Sequence, residues 1–112
     1  MKMLLIVEAT QMAFPDLELV VMYFKNENYD VVLTGLERSG HIIRPMANII
    51  DNVDGTALYK DAKLDCIMKC YQDLMNERDA SPESTHIISN RGQDLAVAIL
   101  LGTEFTWGFD IS

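Results

Sequence analysis

Apolar residues fall in short blocks, and the spacing inside the blocks changes along the chain. The first block, residues 3–7 (Met-Leu-Leu-Ile-Val), is continuous and stops at Glu8. A short unbroken apolar run with polar residues after it reads as a strand buried on both faces. From Phe14 the spacing becomes helical, with Leu17, Val20, Val21 and Phe24 recurring at three- and four-residue steps. Pro15 suits a first helical turn, and Asp16 and Glu18 suit its positive end. The polar stretch Asn26-Glu27-Asn28 ends that helix, and residues 30–36 form a second strand centred on Val31, Val32 and Leu33.

Gly35 and Gly40 bracket a turn over 37–39. Residues 41–44 read either as a short antiparallel strand or as the start of a loop; Pro45 stops them, and 46–50 fit a short helix. After a turn at 51–55, the spacing predicts the longest helix over 56–78, with Leu64, Ile67, Tyr71, Leu74 and Met75 on its apolar face. A polar loop follows, then a third strand at 86–89 and a helix over 92–101 closed by Gly102. Phe105, Trp107, Phe109 and Ile111 alternate, which predicts a last strand over 104–111. Strands alternating with helices predict a single three-layer α/β domain over residues 1–112, with a mostly parallel central sheet of about four or five strands. In such sheets ligands collect beyond the carboxyl ends of the strands, which directs attention to Glu8, to 35–38 and to 89–94.

Composition narrows what that rim can do. At 112 residues and 49% hydrophobic, the chain has material for one core. The 17 acidic residues outnumber the 9 basic ones, giving a net charge of −8. That charge repels phosphate backbones, so extended nucleic-acid binding is disfavoured and a basic protein partner suits better. A local basic strip remains conceivable from Arg38, Arg44, Lys60, Lys63 and Arg91. No apolar stretch approaches the roughly 18–20 residues that cross a bilayer, so no membrane association is expected. The N-terminal apolar run is too short for a secretory signal. Cys66 and Cys70 share one helix face without a second cysteine or histidine cluster to complete a metal site, which predicts reduced thiols and a cytoplasmic protein.

Three acids could meet at the strand–helix rim: Glu8 at the end of the first strand, Asp65 on the long helix, and Asp94 opening a later one. Mg²⁺ or Mn²⁺ takes hard oxygen ligands of this kind and can activate water against a phosphodiester. In that case Lys60, Lys63 and Arg91, with Ser89 and Asn90, would contact phosphate, and Asp61 or Glu37 would stand in reserve. The plainer alternative makes Glu8 and Asp94 ordinary polar ends of elements, and pairs Asp65 with Lys69 four residues on. Other motifs lack parts. The Gly35–Gly40 stretch has no phosphate-loop spacing, Ser39 and His41 have no orienting acid, and 51–55 lacks the closing glutamate of a calcium loop.

An apolar strand ending in an acid, then Lys60-Asp61-Ala62-Lys63-Leu64-Asp65, then Ile87-Ile88-Ser89-Asn90-Arg91-Gly92-Gln93-Asp94-Leu95, resembles the PIN and NYN nuclease superfamily. The resemblance implies a PIN-like, Rossmann-like sheet and a cation held by Glu8, Asp65 and Asp94. The sequence departs from the family pattern where Arg91 stands in place of an aspartate and Asp94 comes one residue late. A guanidinium where a cation would sit implies a degraded metal site. The resulting expectation is a PIN/NYN-like accessory or inhibitory protein-binding module. The alternatives are an active Mg²⁺- or Mn²⁺-dependent ribonuclease and a homodimeric structural module paired through the aromatic last strand.

Overall fold

The computed structural model describes residues 3–10, 14–37 and 52–110. Five strands and three α-helices lie among them: β1 (Leu4–Glu8), α1 (Phe14–Asn26), β2 (Asp30–Leu36), β3 (Gly55–Tyr59), α2 (Leu64–Glu77), β4 (Thr85–Ser89), α3 (Gly92–Leu101) and β5 (Glu104–Trp107). All strand pairs are parallel, in the order β3-β2-β1-β4-β5. This is a three-layer α/β fold, as the alternation of strands and helices predicts. The readings for 38–50 lie outside the described residues.

The continuous apolar run of β1 follows from its central place. Leu4 to Val7 are wholly buried because helices cover both sides of the sheet. Leu5 and Val7 pack toward α1, with Leu17, Val20, Val21 and Phe24. Leu4 and Ile6 pack the opposite way, against Ile67, Tyr71, Leu74 and Met75 of α2 and Val97 and Ala98 of α3. Side chains alternate across a strand, so Glu8 falls on the α2–α3 face with Leu4 and Ile6.

Two predicted elements change. The helix expected over 56–78 is a strand, β3, followed by a shorter helix that begins at Leu64. Gly55-Thr-Ala-Leu-Tyr pairs in parallel with β2 from Val32↔Gly55 to Leu36↔Tyr59. In that ladder Ala57 and Tyr59 turn toward the core, and Thr56 and Leu58 turn outward. This two-residue period was hidden by the helical period that resumes at Leu64. Leu64 itself is exposed, whereas Ile67, Tyr71, Leu74 and Met75 are buried as the helical spacing predicts. The last strand stops at Trp107, where Gly108–Asp110 turns into a 3-10 helix.

The helix over 92–101 lies where the spacing places it, and Gly102 closes it at φ 79°, donating its N–H to the Ala98 carbonyl at 2.9 Å. That left-handed position is one a glycine adopts without cost. No helix among the described residues is long and apolar enough to cross a membrane.

Candidate functional site at the strand carboxyl ends

β1 is followed by a helix on one face of the sheet and β4 by a helix on the other. Between two such strands the connections diverge and leave a crevice at their carboxyl ends, where open α/β sheets place ligands. Glu8 ends β1 there, Ser89 ends β4, and Arg91 and Asp94 open α3. Tyr59 reaches the same point from the end of β3, and Tyr71 from the buried face of α2.

Asp94 is completely buried and holds three side-chain partners. Tyr71 donates its hydroxyl to Oδ1 at 2.7 Å, and Ser89 donates to Oδ2 at 2.7 Å. Arg91 closes a two-point contact, Nε to Oδ2 at 2.9 Å and Nη2 to Oδ1 at 3.2 Å. A planar guanidinium matches a carboxylate in this way, and the paired bonds fix its plane. The Arg91 backbone N–H also donates to Ser89 Oγ at 3.0 Å, tying the helix start to the strand end.

Glu8, 1% exposed, lies against the same guanidinium, with Arg91 Nη2 at 3.4 Å from its Oε2. Its Oε1 accepts the Thr10 backbone N–H at 2.7 Å, and its Oε2 accepts the Tyr59 hydroxyl. The Arg91 guanidinium also lies over the Tyr59 ring, 5.2 Å from its centroid. One arginine therefore bridges two buried carboxylates and rests on an aromatic face.

Burial pushes the Glu8 carboxyl upward, against the bonds from Thr10 and Tyr59 and the charge of Arg91. Burial also raises both phenols, with Glu8 adding to the effect at Tyr59 and Asp94 and Glu8 adding to it at Tyr71. Both tyrosines therefore remain neutral donors at ordinary pH. Burial works against the charge of Arg91, but Asp94 and Glu8 outweigh it and hold its proton more tightly than usual. The charges within the network are one cation against two carboxylates, so the positive charge of Arg91 is already engaged.

The residues singled out in the sequence divide into two groups. Glu8, Asp94, Ser89 and Arg91 come together, but around an internal ion pair. Asp65 stands apart on the exposed first turn of α2, its Oδ1 accepting the Cys66 N–H at 2.9 Å. Lys69 pairs with Asp73 at 3.1 Å, not with Asp65. Lys60 and Lys63 are exposed in the segment between β3 and α2, which joins this rim where Gln93 Nε2 donates to the Ala62 carbonyl at 2.6 Å. Asn90 accepts the Phe109 N–H at 2.8 Å. Among the described residues no group of three His, Cys, Asp or Glu side chains is arranged to hold a metal ion.

Tyr59 and Tyr71 were not foreseen as site residues. The helical spacing gives Tyr71 a core position and puts Tyr59 inside the long helix. A signal for Tyr59 existed in the turn-prone Asp54-Gly55 ahead of a Thr-x-Leu-Tyr run. Cys66 and Cys70 are free thiols, half-buried on α2, and burial pushes Cys70 up to about 11, with Asp73 and other acids adding to the effect. Cys70 is thus protonated at neutral pH and unsuited to nucleophilic chemistry. No protein-family model matches the chain, and no curated protein matches it in sequence.

Proposed function

We propose that the chain is a PIN/NYN-like domain whose cation site is filled by its own arginine, and that it acts as an accessory or inhibitory module by binding another protein. The observation that carries this reading is the placement of Arg91, bonded to Asp94 through two nitrogens and 3.4 Å from Glu8. A divalent cation entering between those carboxylates would meet a fixed positive charge and would have to displace a partly buried, bidentate guanidinium. The exposed position of Asp65 removes the third acid that the nuclease arrangement requires. The net charge of −8 also opposes an RNA backbone and favours a basic protein surface.

Thermal unfolding in the presence of millimolar Mn²⁺ or Mg²⁺, run alongside cleavage of a single-stranded RNA, tests the reading. We expect an unchanged midpoint and no cleavage. Metal-dependent stabilisation together with cleavage that Asp94→Asn abolishes would replace it with the ribonuclease reading.

A further inference from the structure

The two edges of the sheet are built differently. β5 spans four residues, starts on the charged Glu104, and leads directly into a 3-10 turn. β3 spans five residues, Gly55-Thr-Ala-Leu-Tyr, with no charge, proline or bulge among them. Among the described residues its one strand neighbour is β2. Natural sheets usually blunt an open edge with charge, proline or a bulge, because unpaired N–H and C=O groups recruit another strand. Leu58, 47% exposed, adds apolar surface to this edge.

The backbone direction can be assigned. The Tyr59 carbonyl accepts the Glu37 N–H on the β2 side at 2.8 Å. N–H and C=O alternate sides along a strand, so Thr56 and Leu58 turn theirs outward. Beside that edge lies a cleft of about 300 Å³ lined by Thr56, Leu58, Cys70, Asp73, Leu74 and Glu77, together with Ala57 and Arg78. Asp73 and Glu77 are exposed and one helical turn apart on α2; Asp73 also pairs with the exposed Lys69 at 3.1 Å, a solvated contact that an incoming cation exchanges at little cost. Arg78, the cation of the cleft, is directed to the Asp54 carbonyl at 3.1 Å. Burial pushes the Cys70 thiol upward, and the charges of Asp73, Glu8 and Glu77 add to that shift.

We infer that β3 is a docking edge for an extended, basic segment of another protein, which adds a sixth strand beside Thr56 and Leu58 and lays alternate lysine or arginine side chains into the cleft at Asp73 and Glu77. Main-chain bonds to the edge supply affinity, and the two-residue alternation of a strand delivers every second side chain to the α2 side. The acids select against a neutral or acidic strand. The inference rests on the protein-binding reading above for the kind of occupant. It does not depend on Arg91, which lies at the carboxyl ends of β1 and β4.

The test uses the full chain and two capped peptides, one alternating lysine with valine and one alternating glutamate with valine. Backbone amide shifts are followed by NMR during titration. We expect the lysine peptide to move the amides of Gly55–Tyr59 and of the Cys70–Glu77 stretch, and the glutamate peptide to leave them unmoved. Leu58→Pro removes one outward N–H at an edge position that tolerates proline, and should weaken binding about tenfold while the other strand amides keep their native shifts. Glu77→Lys should lower affinity for the lysine peptide without altering the fold. Equal binding of both peptides, undiminished binding by Leu58→Pro, or perturbation confined to residues away from β3 and α2 would overturn the inference. So would a concentration-dependent dimer in sedimentation that Leu58→Pro abolishes, because the edge would then belong to a second copy. A positive metal and cleavage result with intact edge binding would overturn only the reading of the rim.

Discussion

Arg91 and Asp94, three residues apart, hold each other by two hydrogen bonds, Nε to Oδ2 at 2.9 Å and Nη2 to Oδ1 at 3.2 Å, with Asp94 completely buried. The pair stands at the start of α3, where the positive helix end also favours the carboxylate. A buried ion pair adds little against an apolar replacement of both partners, but breaking it from one side leaves a charge without compensation. Arg91→Ala should therefore destabilise the fold by about 3–5 kcal/mol, read from urea unfolding. It also unblocks two carboxylates, so millimolar Mn²⁺ should restore part of that loss in the variant and none in the parent chain. A variant as stable as the parent would mean that the guanidinium does not neutralise the pair.

Tyr71 and Ser89 approach Asp94 from different elements, each at 2.7 Å. Tyr71→Phe keeps the ring in the core and removes one donor to a buried carboxylate, which should cost about 1–3 kcal/mol. Ser89→Ala removes the other uncharged donor and the acceptor of the Arg91 N–H. Because both serve one carboxylate, the double variant should differ from the sum of the singles by more than about 0.5 kcal/mol in a double-mutant cycle. Strict additivity would show that the two bonds act independently.

How much of this rim could be read from the chain depends on how local each signal is. Glu8 closes an apolar run and Asp94 follows a strand by one turn, so both positions follow from their neighbours in sequence. The orientation of Asp65 was not legible because helix rotation decides it: it precedes the buried Ile67 by two residues, about 200° around the axis, and so faces away from the core. The ion pair could not be read, since whether Arg91 points to solvent or folds back on Asp94 depends on the space that Tyr59 and Ser89 leave. Tyr59 was lost with β3, whose strand identity comes from its long-range pairing with β2. The all-parallel sheet was legible because it needs only alternation of element types. The end of the last strand was not, because Phe109 continues the alternation of Phe105 and Trp107 while stacking on Trp107 at 5.3 Å from within a 3-10 turn.

The buried glutamate predicts a particular pH dependence. Burial raises the Glu8 carboxyl above its ordinary 4.5, so the folded state holds that proton more tightly than the unfolded chain does. Its contribution is fully present below pH 4.5 and is lost as pH rises through the folded value. Glu8→Gln removes this titration while keeping an acceptor for Tyr59. Relative to the parent, the variant should gain stability as pH is raised from about 4 to 7, measured as the difference in urea midpoints. A difference that is flat, or that shrinks, would mean that the bonds from Thr10, Tyr59 and Arg91 outweigh burial.

Two glycines bracket α3, and their geometry predicts opposite responses to the same substitution. Gly102 has φ 79°, where a Cβ is strained whatever space surrounds it. Gly102→Ala should cost about 1–2 kcal/mol from that backbone conformation alone. Gly92 begins the helix, and a Cβ built on it meets nothing within 4 Å. Gly92→Ala keeps the native backbone and narrows the unfolded ensemble, so it should stabilise by about 0.4–1 kcal/mol. Gly92 is next to Arg91, so the same variant also tests the rim. Stabilisation with unchanged amide shifts at Ser89 and Asp94 is the expected result. A loss of stability would show that the Arg91–Asp94 turn needs more backbone freedom at position 92 than alanine allows.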